Sequence, residues 1–159
     1  MINIKKTSIV IFFFLQSCME PDTEKLWDIS IENIFETKGF ARSVIVEGSR
    51  AYVAAGQSGT QIWDLEENTL LKDFTGYEEG GTFLEFQDLA LIGRDPVNSL
   101  LFLSESNQDV KIFHLDETDS LIYRNTIMSA RTKDFVSFPS IQDQFVMYSA
   151  DNDDGLKWH

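Results

Sequence analysis

The sequence is short of the residues that most often carry chemistry. Its one cysteine, Cys18, excludes a disulfide within the chain and any cysteine-rich metal centre. His114 and His159 are its only histidines, so a histidine-based zinc site would be hard to assemble. Basic residues number 13 against 26 acids, a net charge of −13, which excludes the basic face that nucleic acid requires. No G-x-S-x-G elbow, Walker loop, H-E-x-x-H pair or dinucleotide fingerprint occurs, and no cofactor is implied. What the chain does have is apolar and aromatic mass. At 43% hydrophobic and 13% aromatic, its 159 residues suffice for one domain with a buried core.

The N-terminus, MINIKKTSIVIFFFLQSC, has the layout of a targeting segment. Lys5 and Lys6 precede a continuous apolar run from Ile9 to Leu15. As a helix that run would span about 10 Å, against a hydrocarbon core of about 30 Å. It is too short for a transmembrane span. The LQSC that follows resembles the lipobox of bacterial lipoprotein signal peptides, carried by Leu15, Ser17 and Cys18. The resemblance implies that residues 1–17 are removed and that Cys18 becomes a lipidated N-terminus. The rival reading is an ordinary signal peptide with an incidental cysteine, or a buried strand. Removal takes away two lysines and no acid, so anionic headgroups would repel the mature body and the acyl chains must do the anchoring. MEPDTEK then reads as a tether within residues 18–38, which also hold LWDISIENIF, a candidate extra strand or short helix. Position 19 is Met, and the acids soon after the cysteine resemble surface-export signals of some Bacteroidetes lipoproteins. The expected location is the cell envelope, at the outer membrane in preference to the inner.

From residue 39 the chain repeats itself. Ser43, Asp88 and Asp134 open three similar stretches, 45 and 46 positions apart. Each begins with a β-rich run (Val44–Val46, Leu89–Ile92, Phe135–Phe138) and a second run (Ala51–Ala54, Leu100–Ser104, Phe145–Ser149). A small-polar loop leads to a third run that ends on an aromatic, aligned here as Trp63, Phe113 and Trp158. Two copies add a fourth run, Leu70–Phe74 and Leu121–Ile127. Four strands at this period predict an all-β fold, an incomplete β-propeller of about two and a half four-stranded antiparallel blades. The blades are placed at residues 39–76, 84–128 and 130–159. GFARSVIVEGSRAYVAAGQSGTQIWDL resembles the LVIVD-type repeat of bacterial propeller proteins through Gly39, Ala41, Arg42, Ala51–Ala54 and Ile62–Leu65. Trp63-Asp64 also resembles WD repeats, but no Gly-His pair opens the blade, so their hydrogen-bonded tetrad is not implied. An open set of blades is expected to be the N-terminal part of a longer propeller, or else to associate with itself.

Candidate sites are few. Asp151, Asn152, Asp153 and Asp154 occupy the hairpin position between second and third strands, and read as a turn; a cation site on Asp151, Asp153 and Asp154 is the weaker alternative. Gly80-Gly81 reads as a connecting loop, with Glu78 and Glu79 solvated beside it. His114 stands where the first copy has Asp64, with no orienting partner for acid–base work, and Trp63 and Trp158 read as core aromatics. Arg42 and Arg131 each precede an innermost strand, where they would face an anionic ligand or pair with acids of a neighbouring blade. The expected function is a membrane-anchored binding or scaffold propeller with a protein or glycan ligand. The alternative is a fragment of a propeller hydrolase or lyase whose catalytic groups lie in other blades.

Overall fold

The repeats fold as antiparallel meanders. The computed structural model describes residues 31–128, 131–139 and 144–159; the signal segment, Cys18 and the first half of LWDISIENIF lie outside them. Described residues 31–38 form no strand. The fold is all-β, and Phe35–His159 make up one unit. The first sheet runs in order through β1 (Ser43–Glu47), β2 (Arg50–Ala54), β3 (Thr60–Asp64) and β4 (Thr69–Phe74). The second does the same through β7 (Leu89–Asp95), β8 (Leu100–Glu105), β9 (Val110–Leu115) and β10 (Leu121–Ile127). The third holds β11 (Thr132–Pro139), β12 (Phe145–Asp151) and β13 (Gly155–Trp158).

Turn chemistry follows the sequence closely. Gly48 takes a φ of 58° at the first of two loop positions between β1 and β2. Aspartates close the longer turns: Asp64 Oδ1 accepts from Glu66 N and Glu67 N at 2.8 and 2.9 Å. Asp95 Oδ1 accepts from Val97 N and Asn98 N at 3.0 and 3.2 Å.

The connection between the first two blades is not a plain loop. Residues Gly76–Glu79 (β5) and Thr82–Glu85 (β6) pair as a separate hairpin, closed by Gly80 and Gly81 with φ of 59° and 82°. Two successive positive φ values mark a type I′ turn, the form favoured in two-residue hairpins. The hairpin carries Tyr77 into an aromatic group with Phe86, Phe113 and Tyr123 at centroid distances of 5.2–5.5 Å. While β1 and β7 lie side by side, the hairpin packs beside β10, filling the space between blades away from their inner strands.

Burial explains the stacking. A sheet has two faces, and the middle blade has both covered. Leu101, Leu103, Phe113 and Leu115 pack with Tyr52, Ala54 and Ile62 of the first blade. Phe102, Val110 and Ile112 pack on the opposite side with Met147, Phe135 and Phe145 of the third. Arg94 on β7 pins the inner strands. Its Nε lies 3.0 Å from Glu47 Oε2 on β1, its Nη1 donates to Leu100 O at 2.9 Å, and its carbonyl accepts from Ser137 Oγ on β11 at 3.2 Å.

The third blade corrects the sequence alignment by one residue. Trp63 pairs with Ala51 and Phe113 with Leu101, all on the face towards the preceding blade or chain segment. On β12 the residue with that orientation is Met147, and its partner is His159, joined to it by backbone hydrogen bonds of 2.8 and 3.2 Å. Trp158 pairs with Tyr148 and so corresponds to Ile62 and Ile112. Trp158 is therefore not a core aromatic. It is 77% exposed where Ile62 is 0% and Ile112 6%, because the face it shares with Val136, Phe138 and Tyr148 is open. The hairpin between β12 and β13 has three loop residues and the other two have five; aligning on the turns hides this slip, which reverses every side chain.

Candidate functional site

The loops between second and third strands and the segments leading into each inner strand gather at one end of the blades. There Gly39, Phe40, Arg42, Ala55, Gly56, Gln57, Ser58 and Asp88 line a cleft of about 300 Å³. Arg42 leads into β1, and its N–H donates to Ala54 O at 2.8 Å. The guanidinium lies 2.8 Å from Asp88, at the start of the second blade. Arg42 thus pairs with an acid of the neighbouring blade, with both side chains part-exposed to the cleft.

Asp88 is held by a base built beneath it. Glu105, at the end of β8, accepts from Gln87 N, from Asp88 N at 3.3 Å and from Lys111 Nζ at 3.1 Å. Burial opposes the Glu105 charge, but the hydrogen bonds from Gln87, Lys111 and Asp88 outweigh it and hold the carboxyl below its usual range. Gly56 and Leu89 exchange backbone hydrogen bonds of 3.1 and 3.0 Å, tying the loop of one blade to the first strand of the next. Gly56 does this at a φ of 62°, which few other side chains tolerate. Glycine in AGQSG was legible as a turn; its bond to the next blade was not, because nothing local encodes it.

Arg131 is placed differently. It precedes β11, does not line the Arg42 cleft, and lies 3.5 Å from Asp153 in its own blade. Two carboxylates of the acidic turn converge on a lysine, while Asp153 faces Arg131. Asp151 is buried with Lys157 Nζ at 2.8 Å, and the same ammonium reaches Asp154 at 2.7 Å. Those bonds, Asp151 first, raise the Lys157 pKa. Asp151↔Gly155 close the three-residue turn, with Gly155 at a φ of 75°. Among the described residues no group of three or more His, Cys, Asp or Glu is arranged to hold a metal ion. His114 lies on β9, facing the side of the third blade, and Glu78 lies in β5 of the hairpin.

No family model matches the chain. Among curated proteins it is similar to a probable malate:quinone oxidoreductase of Xylella fastidiosa, 23% identical over 100 residues, 63% of this chain and 17% of that protein. It is also similar to the nuclear distribution protein PAC1 of Candida albicans, 23% identical over 108 residues, 64% of this chain and 21% of that protein. The chain spans about a fifth of the length of these relatives.

Proposed function

We propose that this protein is a lipid-anchored component of a bacterial envelope, at the outer membrane, whose LVIVD-like blades bind a protein or glycan through their loops. The observation that carries the reading is the position of the only cysteine, at the end of LQSC after a basic and then apolar N-terminus. A part-exposed Arg42–Asp88 pair in a cleft between blade loops supports binding, since a ligand carboxylate or hydroxyl can compete for the guanidinium. Binding loops on a rigid β scaffold are the usual division of labour. The anchor is tested by growing a bacterial host on a fatty-acid analogue. The wild-type chain takes up label and Cys18→Ala does not; equal labelling of the two would overturn the lipoprotein reading.

A further inference from the structure

A second cleft lies at the opposite end of the blades, between the second and third. It has a volume of about 480 Å³ and is lined by Val97, Asn98, Ser99, Leu100, His114, Arg124 and Phe145. Register places the ring of His114 here. His114 pairs with Leu100 on one side and Ile122 on the other, two residues along β9 from Ile112, which packs against the third blade.

Three observations give this cleft a chemistry. First, the first-blade counterpart of His114 is Asp64, which caps its own turn; in the second blade Asp116 has taken over that work. His114 is left without a turn to hold, and its Nδ1 is buried with no hydrogen-bond partner. Second, Arg124 sits at the β-bulge of β10, between the pairs Tyr123↔Phe113 and Asn125↔Ile112. A bulge re-aims its side chain and is common beside binding sites. Third, Arg42, Arg50, Arg94 and Arg131 each pair with an acid, whereas Arg124, the fifth arginine, has no ion pair among the described residues. In a chain with twice as many acids as bases, a guanidinium without an ion pair beside an imidazole lowers the repulsion an external anion meets, although the Asp116 carboxylate also acts on His114.

Two acids next to the lining residues are already hydrogen-bonded. Asp95 accepts from Val97 N, Asn98 N and Asn98 Nδ2. Asp116 accepts from Thr118 N, Thr118 Oγ1 and Ser120 N. Val97, Leu100 and Phe145 make the remaining wall apolar. We infer that this cleft binds a small organic carboxylate. Arg124 receives the carboxylate with the His114 ring beside it, and the hydrocarbon or aromatic part lies on Val97, Leu100 and Phe145.

The test is titration of the full chain with sodium benzoate, following the ring resonances of His114 by NMR, with inorganic phosphate as a second probe. Benzoate shifts the His114 signals saturably. Arg124→Gln weakens binding about ten-fold or more, as loss of a charged hydrogen bond should. Val97→Asp, a change at an exposed wall residue, also weakens it. Arg50→Gln removes a cation outside the cleft and leaves binding unchanged. A non-saturating drift, or equal affinity in Arg124→Gln and wild type, overturns the site; phosphate binding as tightly as benzoate overturns the carboxylate assignment.

Discussion

Tyr77 shows how much one side chain can decide. It is drawn from the hairpin between two blades into contact with three other rings, and burial pushes its hydroxyl up to about 12. The sign of the consequence is fixed. Below pH 10 the phenol is neutral whether folded or not, and its environment favours the fold fully. Between about 10 and 12 the unfolded chain ionises first, binds fewer protons than the native state, and gains in relative stability. Denaturant titrations should therefore show stability falling across that window by on the order of 2 kcal/mol from this group. Tyr77→Phe should flatten the fall while keeping the ring contacts.

At the scale of the element, the same hairpin depends on Gly80 and Gly81, both left-handed and both open to solvent. Neither would clash if a methyl were added, so the penalty for replacing them is conformational alone. The double change to alanine should cost about 2–4 kcal/mol and loosen Tyr77, read as lower thermal stability and loss of Tyr77–Tyr123 cross-peaks. The paired glycines in GYEEGGTF carry the I′ signature, so this hairpin was in principle legible; its short flanking runs, placed outside the repeat, concealed it. The three blades themselves were readable because β-branched and aromatic runs recur at constant spacing. The exchange of Trp158 for His159 in the third was not. Turn residues mark where a hairpin closes but not how many rungs precede the aromatic, and only pairing partners reveal that. The candidate arginines were found from their place before the inner strands, whereas the Glu105 support beneath Asp88 is long-range and leaves no local trace.

For the whole molecule, charge and an open face act against each other. The outer side of the third blade exposes Val136, Phe138, Tyr148, Leu156 and Trp158. Such a contiguous apolar surface favours association, while the net charge, −13 for the whole chain and −15 (11 basic against 26 acidic) without residues 1–17, opposes it. Added salt screens the repulsion but not the burial of apolar area. Sedimentation of residues 18–159 should show self-association that grows from about 0.01 to 1 M salt, where the Debye length drops from 30 to 3 Å. Replacing Leu156 and Trp158 together with serine should reduce it; a monomer at all salt concentrations in the unmodified chain would refute the role of this face.

Arg94 is the point at which both blade interfaces meet on one residue. In a solenoid each unit senses only its immediate neighbours, and the ends can fray independently. Here a single residue is gripped through its main chain by the third blade and reaches through its side chain to the first. A disturbance of either interface therefore reaches the other through the middle blade, and calorimetry should show the three sheets melting in one transition, with Arg94→Ala splitting or broadening it.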